Sequence, residues 1–309
     1  QGLARLASRP YVEVGAEGGY DRFAHLTNYS ICKKDEAYVR NTDAEADAEG
    51  CKWSLAALWR TLAAQGVDVP KIREQIHGIC LKTLIAAQPH VCSRYGQRFR
   101  RRNACFEVFG FDVLLDRELT PYLIEVNVSP DLASTSPLDK VLKHRLAADM
   151  LHVVGVRPAF KPPSGGAGGG AGAGAGGSGG GGGGGGASWE EPPVLMRSMT
   201  GREPSQLGGV PLREMGDVEL ECLVEAEEEW WRAKQTDWLC LYPASAAAVA
   251  SFFPLFAAPK YADCLLASYL RRPHGRAELE PLIPRLARAA ANASTNARPA
   301  TVACDSAGA

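Results

Sequence analysis

The chain has 309 residues, 46% of them hydrophobic and 22% charged, with a formal net charge of −1. These proportions are those of a globular protein, and the charge by itself argues neither for nor against nucleic acid. Nine scattered cysteines with no C-x-x-C pair suit a reducing compartment rather than a disulfide framework. No apolar run reaches the ~18–20 residues of a membrane span, so the sequence reads as soluble and intracellular, with no membrane partner.

The charge is unevenly spread: residues 1–160 carry a net +2 and residues 187–309 a net −4. The chain starts at Gln1 and its first residues already have the texture of a fold's interior, which predicts a fragment of a longer protein.

From Lys52, "KWSLAALWRTLAAQG" places Leu55, Leu58, Trp59 and Leu62 on one helical face that stops at Gly66. A second helix is predicted from "DVPK", with Pro70 in its first turn and Ile72, Ile76, Ile79 and Cys80 on one side. Both stripes read as core packing. A basic loop, "RFRRR" at 98–102, precedes two strand-like runs, Cys105–Leu115 and Pro121–Val128, with a polar turn between them. A third helix is predicted from "SPLDK" to about Val153, with Ser136 as cap, Pro137 in the first turn and Asp139 at the positive end.

Residues 165–186 are almost pure glycine and predict a flexible linker spanning roughly 25 Å on average. Beyond it the reading is a helix over Asp217–Lys234, a short strand at "DWLCLYP", a helix at "SAAAVASFF", and a disordered tail after about Arg276. The expected division is a catalytic unit at 1–157, a linker at 158–190, a helical extension at 191–275 and a tail at 276–309.

Three polar residues interrupt the oily hairpin: Asp112, Glu125 and Asn127. If Asp116 and Pro121 close the turn, paired positions sum to 237, and Asp112 faces Glu125 with Asn127 on the same face. Two carboxylates side by side repel unless a cation meets them. With an amide oxygen added, the set suits a hard cation, Mg2+ or Mn2+, and such a cation commonly shares its shell with the phosphates of a nucleotide triphosphate. An exposed polar face of a hairpin is the bland alternative.

"FGFDVLLD…PYLIEVNVSP…SPLD" together with "HLTNYSICKK" (25–34) closely resembles the catalytic core of the tubulin–tyrosine ligase-like family, in particular its tubulin polyglutamylases. The resemblance covers roughly residues 1–157. It implies an α+β fold, the C-terminal portion of an ATP-grasp enzyme, followed here by the Gly-rich linker and the small, mostly helical extension. It also implies ATP and Mg2+ as cofactors. Carried over by position, Asp112, Glu125 and Asn127 match metal ligands, and Thr27 and Asn28 match nucleotide contacts, with His25 beside them. Arg5 matches a catalytic arginine that meets the incoming amino acid near the phosphates. Tyr29, Ser30, Lys52 and Lys143 match positions associated with the amino-acid substrate.

The implied reaction is ATP-dependent addition of free glutamate to glutamate side chains on acidic tubulin tails, through an acyl phosphate. The implied setting is cytoplasm and cytoskeleton, with cilium and basal body as further places. A glycylase of the same family, a non-tubulin substrate, and a truncated, non-catalytic microtubule- or partner-binding protein stay open. The family's nucleotide-clamping lysines lie upstream of the matched blocks, so the fragment alone is expected to be inactive.

The extension resembles the family's C-terminal helical extension in element order but not in charge, with eight acids and no base between Glu214 and Glu229. A solvated helix packed through Leu223, Trp230 and Trp231 is the bland reading of that run. Arg98, Arg100, Arg101 and Arg102 are the better candidates for a tail-binding surface, and nucleic-acid binding lacks an aromatic platform.

Overall fold

In the computed structural model, described over residues 2–15, 19–43, 47–95, 105–156, 195 and 209–288, the first sheet forms across a long sequence gap. Strand β1 (Leu3–Arg5) pairs antiparallel with β2 (Lys52–Ser54), matching Arg5 to Lys52. Lys52–Ser54 is therefore strand, not the start of a helix. Ser54 turns the chain, its hydroxyl accepting from the Ala57 N–H to cap α3 (Leu55–Ala64). Between the strands lie two single turns, α1 (Arg22–His25) and α2 (Tyr29–Cys32).

Helix α4 (Val69–Tyr95) begins beyond Asp68, whose carboxylate accepts from the Lys71 N–H, and buries Ile72, Leu81 and Ile85. Strands β3 (Phe109–Leu115) and β4 (Pro121–Val128) form a second antiparallel pair. The first strand is shorter than the sequence predicts, because residues 105–108 take no ladder position. The hairpin packs against α4 through β4, while Leu114, Ile124 and Val128 stand exposed. Helix α5 (Pro137–Val154) has the predicted start, with the Ser136 hydroxyl accepting from the Asp139 N–H. It ends at Gly155 in the left-handed conformation (φ 79°), where glycine carries no Cβ penalty. Mixed helices with small antiparallel sheets make this an α+β structure.

The extension holds a continuous hydrophobic core. Helices α6 (Asp217–Ala233), α8 (Tyr261–Leu270) and α9 (Gly275–Leu279) bring Leu220, Leu223, Leu265, Leu266, Tyr269 and Leu279 together, and α7 (Ala246–Phe252) packs beside α8. Three expectations are corrected here. "DWLCLYP" forms no strand, since residues 237–241 find no ladder partner. Residues 276–288, expected in a disordered tail, are mostly helical, because Leu279 and Leu286 are buried in that core. Trp231 is also not a packing residue: it is exposed, while Trp230 stacks on Tyr269.

The acidic run is largely tied internally. Glu219 accepts from the Tyr261 hydroxyl (2.7 Å), Glu227 from the Tyr269 hydroxyl (2.8 Å), and Asp217 pairs with Arg285 (2.8 Å). The extension also docks on the first part of the chain. Helix α6 lies along α5, Arg232 Nε donates to the Val153 carbonyl (3.0 Å), and Arg145 pairs with Asp237 (2.9 Å). No helix among the described residues is long and apolar enough to cross a membrane. The glycine tract, Arg98–Arg102 and the tail from residue 289 onward lie outside the described residues.

Candidate active site

The hairpin's polar face is set by a bulge. Near the turn, Leu115 pairs with Pro121 and Leu114 with Tyr122, one residue out of the register that a turn closed by Asp116 and Pro121 would give. A shift between Asp112 and Val113 restores the offset, so Asp112 faces Glu125 and Gly110 faces Asn127. With the turn's register continued, Asp112 would have faced Ile124 and Glu125 would have pointed to the opposite side.

The three polar side chains meet. The Asn127 amide N–H donates to Glu125 Oε1 (3.2 Å) and also hydrogen-bonds Asp112. The Asp112 carboxyl is held above its ordinary value, first by burial and then by the hydrogen bond and charge of Glu125. The nearby Arg5 charge and the Asn127 hydrogen bond oppose that rise. Two carboxylates are thus pressed together with only partial compensation, the electrostatic condition that a divalent cation relieves. Among the described residues no group of three or more His, Cys, Asp or Glu side chains is placed for a metal. The candidate set is two carboxylates plus an amide. All its donors are hard oxygens once the Asn127 amide turns its carbonyl inward, and that composition fits Mg2+.

A small cleft opens beside this set. It is lined by Arg5, Leu6, Thr27, Tyr29, Cys32, Tyr38, Cys51 and Lys52. Four residues singled out in the sequence, Arg5, Thr27, Tyr29 and Lys52, therefore share one wall. Arg5 belongs both to the cleft and to the electrostatic surroundings of Asp112, and so joins the carboxylate pair to the cleft.

Lys52 is nearly buried. Its ammonium donates to Asp139 Oδ2 (2.8 Å) and Thr135 Oγ1 (3.1 Å) and sits 5.2 Å from the Tyr29 ring centroid. Asp139 also accepts from the Thr135 hydroxyl (2.8 Å) and backbone N–H (3.2 Å). Burial works to raise the Asp139 carboxyl, but the hydrogen bonds from Lys52 and Thr135 outweigh it and hold the group below the usual range.

The remaining predicted residues lie outside the cleft wall. His25 Nδ1 is 2.6 Å from the Asp21 carbonyl, its ring lies against Tyr11 and Tyr20, and its buried Nε2 has no partner among the described residues. Asn28 is the exposed residue preceding α2, and Ser30 is exposed on its first turn. Lys143, on α5, donates to the Ala133 carbonyl (2.5 Å) in the loop before its own helix. Asp139 and Thr135 were missed as site residues. Asp139 reads as a helix-start acid, and its contact with Lys52 crosses 87 positions of sequence.

The hairpin thus carries two carboxylates and an amide, and Arg5 links them to a cleft that holds a fixed lysine. The chain belongs to the tubulin-tyrosine ligase family, whose model matches residues 1–163. It is 43% identical over 154 residues to the tubulin monoglutamylase TTLL4 of Homo sapiens, which covers 50% of this chain and 13% of that protein. It is 44% identical over 158 residues to the tubulin polyglutamylase ttll-5 of Caenorhabditis elegans, covering 50% and 21%. To the tubulin polyglutamylase TTLL5 of Homo sapiens it is 41% identical over 155 residues, covering 50% and 12%. The chain thus spans between about an eighth and a fifth of the length of these relatives.

Proposed function

We propose that these residues form one wall of the active site of an ATP- and Mg2+-dependent ligase that adds glutamate to glutamate side chains of tubulin tails. The observation that carries the reading is the position of Arg5, which serves both the Asp112–Glu125 pair and the cleft containing Tyr29 and Lys52. A ligase that activates a carboxylate with a nucleotide must bring phosphate, cation and amino acid to one place. Similarity to proteins named tubulin monoglutamylase and polyglutamylase supports glutamate as donor and tubulin as acceptor.

In this reading the acceptor side-chain carboxylate attacks the γ-phosphorus of ATP, the bond to the β-phosphate breaks, ADP leaves, and an acyl phosphate forms. The amine of free glutamate attacks that carbonyl, phosphate leaves, the amine loses its proton, and an isopeptide bond remains. Asp112, Glu125 and Asn127 would hold Mg2+, which supplies charge neutralisation for the phosphates when bound. Arg5 stabilises negative charge that develops between the phosphates and the acyl group. Tyr29 and Lys52 line the amino-acid side, with Ser30 and Lys143 nearer its margin, while His25, Thr27 and Asn28 border the nucleotide. The scaffold is read as the C-terminal portion of an ATP-grasp fold. Because the relatives are several times longer, we assign turnover to the full-length protein and none to these 309 residues alone.

The test is incubation of the full-length protein with ATP, Mg2+, tubulin and labelled glutamate, glycine or tyrosine in separate reactions. Incorporation of glutamate supports the proposal. Incorporation of glycine alone makes the protein a glycylase, and retention on microtubules without incorporation makes it a binding protein.

A further inference from the structure

Lys52 is the cation most deeply set into the cleft wall, and its charge is already matched. An ammonium has three N–H donors. Asp139 Oδ2 and Thr135 Oγ1 accept two of them, and the Tyr29 ring lies against the same group. One donor remains for the cleft that Lys52 lines.

The partner is built to stay in place. Asp139 is 1% exposed, and the α5 turn that carries it is fastened by the Ser136 cap and by the Leu138 N–H donating to Asn41 Oδ1 (3.4 Å). Thr135 donates twice to the same carboxylate oxygen that Lys52 uses. The other oxygen, Oδ1, is buried with no hydrogen-bond partner among the described residues. A buried carboxylate left half-satisfied is a poor choice for stability alone, because an apolar pair of similar volume is often as stable or more so. The arrangement makes sense if the pair's task is to fix one N–H of Lys52 in direction.

We propose that Asp139, with Thr135, is a positioning residue of the amino-acid site: it orients Lys52 so that the remaining N–H meets a carboxylate of the donor amino acid. The inference rests on the functional reading above. It adds that Lys52 contributes a directed hydrogen bond rather than a net charge, while Arg5, beside the Asp112 carboxylate, is the cleft's other cation. Asp139 does not touch substrate and acts through Lys52.

The test uses the full-length protein and two readouts. The first is steady-state ligation, with KM for glutamate and for ATP measured separately. Thr135→Val removes the hydroxyl shared by Lys52 and Asp139 and is expected to raise KM for glutamate about fivefold, the value of one lost hydrogen bond. KM for ATP and kcat should stay within about twofold, and Thr135→Ser should restore the parent value. The second readout needs no turnover: the rate at which a water-soluble acylating reagent labels Lys52, with and without glutamate. In the parent protein labelling should be slow and slowed further by glutamate. In Thr135→Val, and in Asp139→Asn if it folds, labelling should be at least about tenfold faster and the glutamate protection weakened.

An unchanged KM for glutamate in Thr135→Val, or a fall in kcat with every KM unaltered, overturns the positioning role. So does the absence of glutamate protection at Lys52 in the parent protein. If Lys52 is shielded and protected by glutamate but no glutamate is transferred to tubulin, the positioning role stands and the assignment of the reaction fails.

Discussion

Asp112 and Glu125 stand opposite one another because Ile124 is left out of the ladder between them. The turn alone sets a register in which the two carboxylates would lie on opposite faces, and the bulge moves Glu125 onto the face of Asp112. Ile124 itself is exposed, so it is not kept there by burial of its side chain.

Glu125→Gln should remove one charge of the proposed cation site while preserving its shape. Glu125 is exposed and faces a carboxylate, so the stability change should lie within about 0.5 kcal/mol. Ligation by the full-length protein should fall on the order of 100-fold or more. Mn2+ binding followed by electron paramagnetic resonance should weaken in parallel. Parental Mn2+ affinity in the variant would remove Glu125 from the metal set.

The buried pair makes a separate prediction about folding. Lys52→Met leaves Asp139 buried without its cation and should cost about 3–5 kcal/mol in urea denaturation. The double variant Lys52→Met/Asp139→Leu should recover much of that loss, because an apolar pair removes both desolvation penalties. A double variant no more stable than Lys52→Met would mean that the pair is a net stabiliser here.

How much of this was legible beforehand depends on the range of the interaction. The helices α4 and α5 followed from local signals: a proline in the first turn, a serine cap and an apolar stripe. The Asp112–Glu125 pairing was reached through a turn register that the structure corrects, and the period of two survived because the bulge offset the error. Arg5 and Lys52 as ladder partners were not visible, since a three-residue strand has no periodicity and its partner lies 47 positions away. Asp139 was hidden for the same reason. Residues 276–288 were misjudged because composition shows the alanine and arginine but not the buried Leu279 and Leu286.

The Asp35 carboxylate ties stability to acid pH. Its carboxylate accepts from Arg9 Nε (3.0 Å), Arg9 Nη2 (2.8 Å) and the Ser8 hydroxyl (2.6 Å), and these bonds lower its pKa to about 2. Since the folded value lies below the ordinary 3.8, the unfolded chain binds this proton more readily. The contribution to stability is therefore complete above about pH 4 and is lost as pH falls toward about 2. Urea midpoints measured across this window should decline in the parent protein and decline less in Asp35→Asn. Identical slopes would place the acid sensitivity elsewhere.

The junction of the extension with α5 gives the last prediction. Gly155 ends α5 at φ 79°, and a Cβ there would come within 2.9 Å of the Arg232 guanidinium carbon. Gly155→Ala should thus incur the left-handed penalty of about 1–2 kcal/mol and push Arg232 away from the Val153 carbonyl. Arg232→Met keeps much of the apolar stem and removes only the bond to the helix end and the charge facing Glu228, a milder change of about 1 kcal/mol. If the extension braces α5 through this contact, both variants should speed amide exchange in the last turn of α5 and in α6. Slower or unaltered exchange in both variants would show that the extension is held by its other contacts, Arg145 with Asp237 and Gln88 with Asp263, and that Arg232 only covers the helix end.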